Sequence, residues 1–325
     1  MKKRFIFGII IGAVFLFLTL RQIDFANTLS YMRQINPLWI AIIMVVYSSA
    51  FLVRSFRWKQ LISPILSVSP FKLFSYLILG FFMNNLLPLR LGELIRAYIT
   101  GNKFKISRSG VLATVVVERL FDGLTFVTLF LLTVMFLPFP ETAKKSFFAG
   151  GILFLAVITA LFFMTRHQEY AMRIMSRIPM PKRFSEKILH FFGNFIKGLQ
   201  IFGNVKGLVT VFVLSLCVWS IEGFVFYLMN IAFHMGLNYF QMLFVMIIIG
   251  MGAILPPAPG YVGTVEFLGV MSLSILNVDK NLAFGFILTL HILQLLTISF
   301  WGIRSLIKEK ITLSELIRIE KQKEI

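Results

Sequence analysis

Residues 84–99 read NNLLPLRLGELIRAYI. An apolar run, residues 73–87, leads into them and by itself would carry the chain across a bilayer. Yet the stretch holds two Asn, a Pro, two Arg and a Glu. Its flanks decide the reading. Arg54, Arg57, Lys59 and Lys72 come before the run; Arg90, Arg96, Lys103, Lys105 and Arg108 come after it. Lys and Arg concentrate in cytoplasmic loops, so both flanks belong on one side. A hairpin that enters from inside, breaks near Pro88 and returns satisfies both. Non-helical backbone at membrane depth is tolerated only inside protein or beside a water-filled cavity, so the break implies a cavity.

Working outward, the whole chain reads as membrane-embedded. It has 325 residues, 58% of them hydrophobic, and a mean hydropathy of +0.86. Soluble domains are nearer half apolar. Several runs reach the roughly 20 apolar residues that span a bilayer as helix, and the alternation of a β-barrel is missing. The net charge of +18 lies in short basic blocks between apolar runs, the pattern of cytoplasmic loops rather than of nucleic-acid binding. Cys217 is the one cysteine, which leaves no intrachain disulfide and no thiolate metal site.

The expected spans are 5–20, 37–53, 111–137, 147–165, 207–233 and 282–303. The first is read as uncleaved, since RQID rather than a small-residue cleavage site follows it. Lys2, Lys3 and Arg4 place the N-terminus inside. Arg304, Lys308 and Lys310 do the same for the C-terminal end. Arg54, Arg57, Trp58 and Lys59 read as interfacial snorkelling and an aromatic anchor at the end of span two. The basic stretch 166–206 includes FSEKILHFFGNFIKGLQIF, which suits a helix on the membrane surface.

A second broken segment follows span five, QMLFVMIIIGMGAILPPAPGYVGTVEFLGVMSLSIL. With Phe71 set on Phe240, Pro88 falls on Pro257 without a gap. The first segment enters from inside and the second from outside. Paired interrupted segments of this kind point to a midplane site in an inverted-repeat transporter. The expected fold is thus an all-α polytopic membrane protein. It has about six full transmembrane helices and two Pro/Gly-broken re-entrant hairpins, or short helix pairs, in an inverted repeat. It forms a single domain, 1–325, with 304–325 as a short cytoplasmic tail.

Ionisable groups within membrane segments are costly and are functional candidates by default. Asn84, Asn85, Arg90, Glu93 and Arg96 form one cluster. The i, i+3 spacing puts Arg90, Glu93 and Arg96 on one face, and an Arg fork suits phosphate oxygens. Mutual pairing that caps the hairpin is the alternative. Glu118 and Asp122 share a face at i, i+4, and Arg119 can pair with Asp122; a plain salt bridge would use the same residues. In PPAPGYVGTVE, Pro257, Gly260, Gly263 and Glu266 flank a helix restart whose free N–H groups could receive an anion, or simply make a turn. Glu222, beside Trp219 in span five, has no local partner, so a distant Arg must meet it or it is protonated. His291 reads as a hydrogen-bonded packing residue.

Three motifs in order resemble one family. They are N-x-L-x-P-x-R-x-G-E (Asn84, Leu86, Pro88, Arg90, Gly92, Glu93), E-R-x-x-D (Glu118, Arg119, Asp122) and P-x-P-G-x-x-G-x-x-E (Pro257, Pro259, Gly260, Gly263, Glu266). The family is the transmembrane region of the lysylphosphatidylglycerol synthases, flippase-like membrane proteins. The resemblance covers roughly 5–305. It implies a stand-alone flippase-like protein without the synthase domain, acting on a phospholipid or a polyprenyl-phosphate lipid. A separate lipid-modifying enzyme is a possible partner.

The leading expectation is therefore lipid translocation across the inner membrane. These clusters would hold the lipid headgroup, with no metal, no cofactor and no catalytic motif. The alternatives are an integral transferase acting on a lipid phosphate, with Glu93 or Asp122 as base, and a small-solute or ion transporter.

Overall fold

The computed structural model describes residues 2–87, 90–134, 136–137, 141–177, 182–200, 204–252 and 258–321. Among these, the regular structure is helical: α1 Lys2–Leu20, α2 Phe25–Arg33, α3 Pro37–Ile62, α4 Pro70–Leu86, α5 Leu91–Phe104, α6 Arg108–Val134 and α7 Glu141–Arg166. There follow α8 Gln168–Arg177, α9 Lys182–Gly198, α10 Val205–Ala232, α11 Tyr239–Gly252, α12 Thr264–Ile275, α13 Lys280–Glu309 and α14 Leu313–Lys321. Helices stand at each of the six expected places. Among the described residues, three helices are long and apolar enough to cross a membrane: α3, α10 and α13. A fourth candidate is the pair Gly8–Leu20 and Phe25–Arg33, bent by 87°. Between the first two expected spans the chain thus contains a further helix, α2, capped by Asp24 and packed on α13.

The long helices begin where their sequences say they should. Asn36 accepts the Leu38 N–H with Pro37 at the first helical position, Ser69 accepts from Lys72 ahead of Pro70, and Asp279 accepts from Asn281 and Leu282. Each cap satisfies amide groups that have no partner inside the helix.

The first broken segment folds as two packed helices, α4 and α5. Their faces meet at glycines: a Cβ on Gly92 would lie 2.0 Å from the Gly80 carbonyl oxygen. Small residues let membrane helices approach backbone to backbone. The Asn84 side chain then accepts the Gly92 N–H at 2.9 Å, capping α5 from the end of α4. Arg90 enters α5 in the left-handed conformation, φ 56°. Pro88, where the break was expected, lies outside the described residues. The second broken segment also packs as two helices, α11 and α12, joined through a 3-10 turn at Pro259–Tyr261. Pro256 and Pro257 lie outside the described residues.

Two sets of helices repeat one order: a long helix, a broken pair, a long helix. They are α3, α4–α5, α6 and α10, α11–α12, α13. Their packing corresponds: α4 lies on α13 and α11 on α6, while α3 lies along α10. Arg54 meets Glu222 and Arg57 meets Ser215. Position advances along one helix as it retreats along the other, so α3 and α10 are antiparallel.

Outside this frame, α1 packs on α12 and α7 on α6. The C-terminal end of α9, expected on the membrane surface, is docked on α6 with Ile196 and Leu199 buried. The tail helix α14 packs on α5 and buries Leu316.

Candidate functional site

Where α3, α5, α6 and α10 converge lies a buried ion network. Arg57 contacts Glu118 at 3.0 Å and Asp122 at 2.6 Å, and donates to Ser215 Oγ at 2.9 Å. Arg96 meets Glu118 at 2.6 Å. Arg119 meets Glu118 at 2.7 Å, Asp122 at 3.1 Å and Glu93 at 3.4 Å. Arg54 pairs with Glu222. Trp219 donates to Asp122 at 2.8 Å. Four guanidinium groups thus face four carboxylates, and buried charges persist only when paired in this way.

Arg54 and Arg57 correct the expectation of interfacial snorkelling. Helix α3 does not stop at Val53; it runs on to Ile62, carrying both arginines into the bundle, where they are 2% and 0% exposed. Of that group Lys59 alone is exposed. The sequence held a usable signal. Four acids placed in membrane segments need buried cations, and Arg54, Arg57 and Trp58 share a helical face with the apolar Ala50.

Beside the network lies a cavity of about 500 Å³. Both broken segments line it: Phe81, Asn84, Asn85, Arg90 and Glu93 from the first, Gly250, Gly260, Tyr261 and Val265 from the second. Arg90 spans the gap, donating from Nε to the Tyr261 hydroxyl at 3.0 Å. Arg54, Arg119, Asp122 and Glu222 complete the polar wall, while Phe126, Phe154 and Trp219 supply apolar surface. Among the described residues Arg90 has no carboxylate within ion-pair distance. Arg54 Nε and Nη1 and Asn85 Nδ2 have no hydrogen-bond partner. The Arg54 guanidinium lies over the Trp219 ring, 4.8 Å from its centre.

The structure therefore divides the sequence-derived residues. Asn84, Asn85, Arg90, Glu93, Arg119, Asp122, Glu222 and Gly260 line the cavity. Arg96 and Glu118 lie behind it, Arg96 stacked 4.4 Å from the Trp58 ring centre. The i, i+3 face of α5 is also split: Arg90 goes to Tyr261, Glu93 to Arg119 and Arg96 to Glu118. Pro257 lies outside the described residues. Arg54, read from the sequence as interfacial, also lines the cavity, as do Tyr261 and Gln294, which were not named as candidates.

At the second break the helix start differs from an open anion site. Glu266, 3% exposed, accepts the Gly263 N–H at 2.6 Å, so the amide end is met by the chain's own carboxylate. Its other oxygen contacts His291 Nδ1 at 2.7 Å, and His291 Nε2 contacts the Gly260 carbonyl at 2.8 Å. Gly263 allows close approach not of a ligand but of α1: a Cβ there would lie 2.0 Å from the Gly12 carbonyl oxygen. Among the described residues no cluster of three or more His, Cys, Asp or Glu could hold a metal ion.

Apolar helices of spanning length around a charged interior define an α-helical integral membrane protein. More particularly, the profile of the lysylphosphatidylglycerol synthase transmembrane region matches residues 5–302, and the chain belongs to that family. Among curated proteins it is similar to UPF0104 membrane proteins of two archaea. One from Methanocaldococcus jannaschii is 27% identical over 225 residues, 68% of this chain and 91% of the relative. Two from Methanothermobacter thermautotrophicus are 27% identical over 284 residues (82% and 80%) and 23% identical over 325 residues (94% and 96%). No solved structure matches.

Proposed function

We propose that the protein moves a phospholipid or a lipid phosphate between the two leaflets. The headgroup lies in the cavity between the broken segments and the acyl or prenyl chains stay in the bilayer. One observation carries this reading: the cavity is lined by Arg90, which among the described residues has no carboxylate within ion-pair distance, with Arg54 and Asn85 in the same wall. Phosphate oxygens are acceptors, and the planar Arg fork fits them. The antiparallel α3 and α10, with interchanged packing of the flanking helices, suit two halves of opposite topology around a shared site.

In this reading the two broken segments are re-entrant from opposite faces of the inner membrane. Both termini are cytoplasmic, and the chain forms or breaks no covalent bond itself. A separate enzyme makes the lipid where its headgroup is modified.

The test is a reconstituted vesicle assay that follows a fluorescent phosphatidylglycerol between leaflets. Replacing Arg90 by Ala removes a charge-assisted contact worth about 1.5–3 kcal/mol, so movement falls by about tenfold or more. Unchanged movement in Arg90→Ala and Arg54→Gln proteins, or covalent turnover of lipid by the purified protein, overturns the reading.

A further inference from the structure

His291 and Glu266 do more than cap a helix. The Gly260 carbonyl can only accept, so His291 Nε2, at 2.8 Å, carries a hydrogen. His291 Nδ1 and Glu266 Oε1 are 2.7 Å apart, and Glu266 Oε2 already accepts from Gly263. One proton lies between imidazole and carboxyl, and the pair is neutral whichever side holds it. The pair is buried, yet His291 also lines the cavity.

With that proton gone, a neutral imidazole has one N–H for two acceptors. It can donate to Glu266 or to the Gly260 carbonyl, but not to both. One tie between α13 and the second break is lost. Gly260 is followed by Tyr261, whose hydroxyl receives Arg90 from the first break. The proton thus controls the anchor of the contact that bridges the cavity.

We propose that His291 and Glu266 form a proton-binding dyad that latches the second break, and that the proton is the coupling ion for the movement of lipid. This rests on the translocation reading above.

The other charged and titratable groups that line the cavity are Arg90, Tyr261, Arg54, Tyr47, Glu222, Glu93, Arg119 and Asp122. Arg54 pairs with Glu222, and Arg119 with Glu93 and Asp122. On the other elements packed against α12 and α13, the described part of α1 whose side chains are placed, residues 8–20, has no ionisable group. Tyr239 of α11 is bound to the Ser220 carbonyl, Tyr76 of α4 to Glu309, and Lys72 of α4 lies over Phe104. Helix α2, which carries Tyr31 and Arg33, meets α13 near Gly285 through Thr28 and Met32.

Two measurements test the proposal on the full chain. Infrared difference spectra of the detergent-solubilised protein, taken between mildly acidic and mildly alkaline buffer, should show a carboxyl change that Glu266→Gln removes. In vesicles holding fluorescent phosphatidylglycerol, an imposed pH difference should bias its leaflet distribution. One proton per lipid gives about a tenfold displacement for each pH unit. Glu266→Gln, at a residue outside the cavity wall, can still accept from Gly263 and donate to His291 Nδ1, so it should hold the latch at any pH and remove the bias.

If Glu266 shows no pH-dependent change, the dyad is a permanent structural tie and the proposal falls. If lipid moves but ignores the pH difference, coupling falls and translocation stands. If no lipid moves under any gradient, the translocation reading falls, and the coupling with it.

Discussion

Arg57 is the residue on which the charged interior turns. It is fully buried and touches Glu118, Asp122 and Ser215 at 3.0, 2.6 and 2.9 Å. Removing one partner of a buried pair strands the other in a medium that cannot solvate it, at a cost of about 3–5 kcal/mol. Arg57→Ala should therefore unfold in detergent at clearly lower temperature than the parent chain, or fail to accumulate in membranes. Arg57→Lys keeps the charge but not the fork, and should recover part of the loss. A melting curve of each variant decides. Trp219 matters less: Trp219→Phe keeps most of the ring and loses one hydrogen bond to Asp122. The expected cost is about 1.5–3 kcal/mol, since the acceptor is charged. A shift as large as that of Arg57→Ala would mean that the indole also fixes the Arg54 guanidinium stacked on it.

At the scale of elements, the first broken segment is held by contact between two backbones. The Gly92 position has no room for a methyl group, since its neighbour at 2.0 Å is the Gly80 carbonyl oxygen and not a flexible side chain. Gly92→Ala should push α5 off α4 and cost about 1–3 kcal/mol, the usual range for overpacking. Because Arg90 begins α5, the same change should weaken its reach to Tyr261. Lower thermal stability together with slower lipid movement is expected; a variant as stable as the parent would show that the helix pair yields easily. Asn84→Ala removes only the cap on the Gly92 N–H, and should cost about 1 kcal/mol.

For the whole molecule, the informative contact is the one between the halves. Arg54 on α3 and Glu222 on α10 bind across the antiparallel pair of equivalent helices. Arg54→Glu and Glu222→Arg should each leave two like charges buried together and prevent stable assembly. The double exchange restores opposite charges and should recover much of the folded yield, because residues in direct contact are not additive. Failure of the double variant to improve on either single one would place the two side chains in separate environments.

Much of this arrangement was written in the order of residue types. Pro- and Gly-interrupted apolar segments flanked by basic blocks announce two broken helix pairs in a membrane protein. Their breaks do meet around a charged cavity, as the Arg90–Tyr261 contact shows. The i, i+4 spacing of Glu118 and Asp122 likewise placed both acids on one face, and Arg57 binds both. Local spacing suffices for such statements because helical geometry fixes which residues are neighbours within a few turns. Partners far apart in sequence were decided only by packing. Whether Arg54 and Arg57 snorkel outward or pair inward depends on how far α3 continues and what lies beside it, and α10 and α6 arrive there from 158 and 65 residues away. Likewise, Glu266 could be read as a headgroup ligand until α13 brought His291 to it. A charge is drawn inward or outward by the field of everything around it, and that field exists only once the helices have assembled.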